Sequence, residues 1–374
     1  MEGFRLTLEE IAGSVGNFGT VLPFALGVAL VSPVNLGTIL LFFGIWYIIA
    51  GVIYRIPIPI EPMKAIGAIV IAGGLGAGEI AAAGIICGIL FLAIGLARGM
   101  HAVQQYIPVS VIRGIQLGLA LILLRTAAGL MAGDLLISGI SIAFILAFFA
   151  VTTVRKSIPD LSALIVIGIG IVAGITASGI PPVQLMPLPS LVVPTVLDAG
   201  AATWRLVLPQ IPLTLANAIL ATALLTHDLF GRDLKPDNLA TTIGVMNLVS
   251  APLGGFPMCH GAGGLAAHYR FGARTGTSMV IGGVFLITVA LFFSAPGTVG
   301  ILPVGIFGAL LVFIAIELSK HAVRTDAVLV TASMAIIAVV AGMTVAFIWG
   351  LALAYALSWF QDSSGANPRD KWKR

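Results

Sequence analysis

Apolar residues run along this chain in blocks of about 18 or more, separated by short polar turns, the pattern of membrane-crossing helices. Read with their flanking turns, the blocks predict spans over 8–31, 35–54, 60–75, 78–97, 107–128, 134–153, 160–179, 203–226, 238–254, 257–270, 277–295, 299–318, 326–341 and 343–360. Two of these, 60–75 and 257–270, are short and broken by prolines, glycines and charged residues. Irregular backbone survives at membrane depth only where protein surrounds it or it lines a cavity. The expected fold class is an all-α polytopic membrane protein of fourteen transmembrane segments, with short extended pieces leading into half-helices at segments 3 and 10.

Charge tests the count. Alternating the loops from a cytosolic N-terminus places fifteen lysines and arginines inside and only Arg125 and Arg205 outside, with Lys64 and Arg113 within spans. That is a strong positive-inside bias, and dropping either short segment would invert every later loop. Both termini are therefore expected in the cytosol, in a multi-pass protein of the cell membrane. Of 374 residues, 59% are hydrophobic and 9% charged, against about 25% charged in soluble domains. The basic balance of +4 reports orientation rather than nucleic-acid binding. Cys87 in a span and Cys259 in a motif give neither a disulfide framework nor zinc spacing, so no metal or other cofactor is expected. The first ten residues lack the pattern of a cleaved signal peptide.

The second half echoes the first. Pro62-Met63 recurs as Pro257-Met258 and Pro108-Val109 as Pro303-Val304, each after 195 residues. Seven segments per half is an odd number, so the halves would insert with opposite orientation, as a 7+7 inverted repeat with its site where the interrupted segments meet. The repeats are expected over 1–190 and 191–362. The core domain would comprise about 8–100 plus 203–296 and the gate about 106–180 plus 298–360, followed by a cytosolic tail over 363–374.

Candidate chemistry gathers in the interrupted segments. The stretch 254–276 carries two histidines, a cysteine, two arginines and seven glycines, and 56–67 carries prolines, Glu61 and Lys64. A helix start offers unpaired N–H groups and about half a positive charge, so two facing starts suit an anion stripped of water. Expected substrate-binding residues are Pro62, Met63 and Lys64 from segment 3 and Met258, Cys259, His260, Gly261 and Ala262 from segment 10. Asn17 and Thr20 from segment 1 join them, with Gln210, Thr214 and Asn217, which share a face of segment 8 at i, i+4, i+7. Glu61 and His260 are the candidate proton carriers. Plainer readings stay open: Lys64 snorkelling to the interface, Glu61 as its structural partner, and His260 as a hydrogen-bonded core histidine. Arg113, Glu317 and Lys320 fall at matching places in the two repeats, as a clamp or as solvated helix ends.

Pro-Met-Lys-Ala at 62–65, Gly16-Asn-Phe-Gly-Thr20 with Pro23, Leu208 to Asn217, and the block from Pro257 to Gly276 resemble the molybdate transporter family allied to the sulfate permeases. The resemblance covers nearly the whole chain. It implies the core-and-gate fold shared with sulfate permeases and nucleobase transporters, without the permeases' cytosolic regulatory domain. Two positions depart from the family pattern: Asn17 stands where an Asp is usual, and Glu61 where a Gln precedes Pro-Met-Lys.

The expected function is import of a tetrahedral oxyanion, molybdate foremost, by alternating access coupled to protons. Tungstate and sulfate are related ligands, and a sulfate-type carrier or an anion channel is the alternative. Moving a dianion inward against about −100 mV costs about 4.6 kcal/mol, twice the charge term of about 2.3, so scarce-anion uptake needs a coupling ion. No nucleotide-binding motif supplies one by another route. An enzyme is not expected, since Cys259 and His260 are adjacent on the chain and lack a third orienting group. The expected partners are the oxyanion, protons and the lipid bilayer, with a homodimer left open.

Overall fold

A computed structural model describes residues 4–100, 102, 106–155, 159–180, 183–294, 301–322 and 324–363. Among them are fourteen helical segments: α1 (Leu8–Val31), α2 (Leu36–Tyr54), α3 (Lys64–Gly73), α4 (Ala77–Leu96), α5 (Val109–Met131), α6 (Leu135–Val154), α7 (Ser162–Ser178), α8 (Val196–Phe230), α9 (Pro236–Ser250), α10 (Ala262–Arg270), α11 (Thr277–Phe292), α12 (Val304–Ala322), α13 (Val328–Ala341) and α14 (Met343–Ser363). The number agrees with the sequence expectation. Six of these helices are by themselves long and apolar enough to cross a membrane. The only sheet among the described residues is a pair of two-residue strands, β1 (Glu61–Pro62) and β2 (Met258–Cys259).

Where helix ends differ from expectation, local chemistry explains the shift. α8 starts at Val196 rather than 203 because Thr195 and Asp198 form a capping box. The Thr195 hydroxyl accepts the Asp198 N–H at 3.1 Å, and the Asp198 carboxylate accepts the Thr195 N–H at 2.8 Å. α9 stops at Ser250 rather than 254, where a short 3-10 turn over Ala251–Leu253 contains Pro252 and ends on Gly254 at φ 75. α1 breaks between Ser14 and Phe18. There Gly16 lies against α10, and a Cβ on it would come within 2.7 Å of the His268 Cα. Expected segment 12 begins partly outside the described residues, and its helix runs from Val304. The expected tail lies outside them from residue 364 on.

The halves of the chain are interleaved. α2 lies along α11, α4 along α9, and α5 along α12 and α13. In the α2–α11 seam Gly44 faces Gly283 and Gly51 faces Gly276, and a Cβ on Gly44 would meet the Gly283 carbonyl oxygen at 2.7 Å. Small residues let membrane helices approach this closely. Phe18, Tyr47, Phe43 and Phe91 fill the core. α6 turns Leu135, Leu136, Ile140 and Phe144 outward, as a lipid-facing helix should. Residues 183–195, ahead of α8, have no regular secondary structure and are tied by the Met186 N–H to the Leu291 carbonyl at 2.9 Å and the Val192 N–H to the Pro252 carbonyl at 2.8 Å.

Candidate functional site

β1 and β2 pair antiparallel with Glu61 opposite Cys259 and Pro62 opposite Met258. The Met63 N–H extends the contact to the Pro257 carbonyl at 2.9 Å. Prolines suit this two-residue ladder, which makes little use of the N–H groups they lack. Asn247 of α9 braces it. Its amide nitrogen donates to the Met258 carbonyl at 2.6 Å, and its oxygen accepts the Met258 N–H at 2.9 Å. The strand pair thereby fixes where α3 and α10 start.

The two helix starts are not equivalent. Neither Met63 nor Gly261 caps its helix with a side chain. At α3, however, Gln210 of α8 supplies the cap: its carboxamide oxygen accepts the Ala65 N–H at 2.9 Å and the Ile66 N–H at 3.3 Å. Its nitrogen donates to the Thr214 hydroxyl at 2.9 Å. Gln210 and Thr214 are both fully buried. α10 begins Ala262-Gly263-Gly264, and Gly263 is exposed, with nothing within 4 Å of where its Cβ would be. Its first turn is open to approach, whereas the amides of α3 are taken.

Glu61 sits between them. Its carboxylate is 1% exposed and lies 2.7 Å from the Lys64 ammonium. Apart from that ion pair, neither carboxylate oxygen has a hydrogen-bond partner among the described residues. Both oxygens rest on the glycines at the start of α10, in the space that a Cβ on Gly261 or Gly264 would occupy. Asn17 lies beside the same spot and donates to the Tyr47 hydroxyl at 3.5 Å.

A cavity of about 980 Å³ opens in front of these groups. Asn17, Thr20, Glu61, Lys64 and Asn217 line it, together with Gly263. Toward its open end stand the exposed Arg270 and Arg324, with Asp160 and the Glu317–Lys320 ion pair. Phe24, Leu213 and Phe313 supply apolar wall. Gln116 of α5, which sequence reasoning missed, also lines the cavity and accepts from Arg113 at 3.0 Å. A buried glutamine inside an apolar helix was its signal. Asn247 carried the same signal.

The remaining expected residues stand elsewhere. Pro62, Met63, Met258 and Cys259 are buried in the strand pair and its flanks, and Gly261 is buried against Glu61. Ala262 starts α10 next to the cavity-lining Gly263. His260 is turned away from the cavity. One ring nitrogen, Nδ1, is 3.0 Å from the Pro59 carbonyl and the other, Nε2, 2.7 Å from the Thr242 hydroxyl. Tyr54 packs edge-on against its ring. Among the described residues no group of three or more His, Cys, Asp or Glu side chains is placed to hold a metal ion.

A partly buried cation, open amides and neutral polar side chains around one cavity are the equipment of an anion site. Comparison with known proteins agrees. Residues 9–123 and 202–318, more than half of the chain, match a family model described as "Molybdate transporter of MFS superfamily". The chain belongs to this molybdate transporter family. Within the family, Molybdate transporter 1 of Arabidopsis thaliana is 32% identical over 372 residues, covering 85% of this chain and 80% of that protein. Among solved structures, the transmembrane domain of the cyanobacterial bicarbonate transporter BicA superposes with a TM-score of 0.66 at 16% identity, covering 93% of this chain and 98% of that one. The murine Slc26a9 anion transporter in its inward-facing state gives 0.73 at 14% identity, covering 96% of this chain and 70% of that one. At such identity the structures speak to the fold alone. The family is the one its motifs resemble, and the fold is that of membrane anion transporters.

Proposed function

We propose that this chain is a secondary transporter that imports a tetrahedral oxyanion, molybdate first, with tungstate and sulfate as competitors, across the plasma membrane. One observation carries the reading: the open first turn of α10, at Gly263, and the Lys64 side chain line the same cavity. Backbone N–H groups at a helix start and one ammonium replace part of the hydration a dianion loses, and Asn17, Thr20 and Asn217 add neutral hydrogen-bonding groups. The similarity to molybdate transporters 1 and 2 of Arabidopsis thaliana points to molybdate as the substrate.

Transport is by alternating access. α3 and α10 belong to inverted repeats of seven segments each, and the core that carries them moves against a gate built from α5–α7 and α12–α14. With both termini cytosolic, the cavity faces the cytosol through Arg270 and Arg324. Protons drive uptake against the membrane potential. Glu61 is the proton carrier, because it lines the cavity while His260 spends both ring nitrogens on protein partners. A dianion about 5 Å from a carboxylate repels it by about 7 kcal/mol at an effective dielectric of about 20, ample reason for the two not to be charged together.

The test is uptake of molybdate into proteoliposomes under imposed potential and pH gradients, with tungstate and sulfate as competitors. Uptake that accelerates with an inward proton gradient supports the reading. Uptake indifferent to both gradients removes the coupling, and sulfate outcompeting molybdate removes the substrate.

A further inference from the structure

We propose that Glu61 is the site's own anion: its carboxylate competes with the substrate for Lys64 and for the positive end of α10, and each dianion that binds brings one proton onto Glu61. The proposal rests on the oxyanion reading above and makes proton uptake a property of the binding step itself.

Three observations carry it. The carboxylate oxygens rest on Gly261 and Gly264, against the first turn whose amides would receive the substrate. They are buried, yet among the described residues neither takes a hydrogen bond from those amides or, Lys64 apart, from any other group. Among the described residues the Lys64 ammonium is the one contact that balances their charge, and Lys64 also lines the cavity. A buried carboxylate held by a single ion pair is stable while that cation is undivided. An oxyanion entering beside Gly263 shares Lys64, and two anions in one dry site cannot both stay charged.

Among the described residues, the groups facing Glu61 offer no second cation. Asn17 comes from α1 and Tyr47 from α2, Cys259 stands opposite on β2, and His260 and His268 flank it from before and within α10. Glu317 of α12 acts on Lys64 from across the cavity and adds a further negative charge. The proton comes from water in the cavity that Glu61 lines and converts the carboxylate to a carboxylic acid. Lys64 is then released to the substrate, and no other bond is made or broken.

Isothermal titration of the purified full chain with molybdate and with tungstate, repeated in buffers of different ionisation enthalpy, counts protons taken up per anion bound. The expected count at neutral pH is one, and the expected affinity falls about tenfold for each unit of pH rise. Glu61→Gln keeps the side chain's shape without its charge. It is expected to take up no proton, to lose the pH dependence and to bind at least about tenfold more tightly than the wild type at pH 8. Binding by the wild type without proton uptake, or an unchanged pH slope in Glu61→Gln, overturns this inference and leaves the transport reading standing. A wild type that binds no oxyanion at any pH overturns both.

Discussion

The carboxamide oxygen of Gln210 accepts the backbone N–H of Ala65, 145 residues earlier, at 2.9 Å, so a side chain from α8 caps the start of α3. The acceptor stands where an anion would otherwise sit, and the two helix starts of the site therefore differ in kind. α3 is held by protein, and α10 is open.

Gln210→Ala is accordingly a stability variant before it is a binding variant. It leaves the Ala65 and Ile66 N–H groups without their acceptor, which costs about 1–3 kcal/mol for a buried group left unpaired. A lower melting temperature in detergent is expected. Gln210→Glu keeps an acceptor there and adds negative charge beside Lys64, so it is expected to melt nearer the wild type while binding oxyanion more weakly.

The glycines of α10 make a graded test. Gly264→Ala and Gly261→Ala drive a methyl group into the Glu61 carboxylate, and poor folding or a displaced Glu61 is expected. Gly263→Ala meets nothing within 4 Å and should fold normally. It nevertheless puts a methyl group at the mouth of the open turn. Its expected effect is weaker tungstate binding by titration at an unchanged melting temperature.

His260 should behave as a structural residue. His260→Gln loses at least one of the bonds to the Pro59 carbonyl and the Thr242 hydroxyl, at a cost of about 1–3 kcal/mol. The pH profile of uptake by the surviving protein is expected to match the wild type. A profile flattened as in Glu61→Gln would instead make His260 a proton carrier.

A separate latch joins the N-terminal turn to the start of α11. The Glu10 carboxylate accepts the N–H groups of Arg274 at 3.0 Å, Thr275 at 2.8 Å and Ser278 at 3.2 Å. Hydrogen bonds to a charged acceptor are worth about 1.5–3 kcal/mol each. Glu10 is buried, and Glu10→Ala is expected to lower the melting temperature more than Glu9→Ala beside it, with oxyanion affinity unchanged in the folded fraction.

The fourteen segments were legible because membrane helices announce themselves by length, and the basic residues settled whether the short ones should be counted. Pro62 and Pro257 marked the strand pair for the same reason: proline inside an apolar run needs a structural excuse. The division of labour within α8 was not legible. Spacing put Gln210, Thr214 and Asn217 on one face of an ideal α-helix, but residues Thr214–Ala221 wind as a π-helix. The wider turn separates Asn217, which reaches the cavity, from Gln210 and Thr214, which serve α3. Asn247 and Gln116 were missed because a lone polar residue in a helix does not reveal what it faces: Asn247 reaches Met258, eleven residues on, and Gln116, bonded to Arg113 on its own helix, lines a cavity that other segments complete. The early start of α8 was written in Thr195 and Asp198, as a capping box outside the apolar run.

The most direct measurement is a density map of the protein with tungstate, whose heavy atom marks its own position. The site described here predicts a single strong peak within hydrogen-bonding reach of the Ala262–Gly264 amides and the Lys64 ammonium, with the Glu61 side chain shifted from its place over Gly261. A peak held by Arg270, Lys320 and Arg324 at the cavity mouth, with Glu61 and Lys64 undisturbed, would contradict it.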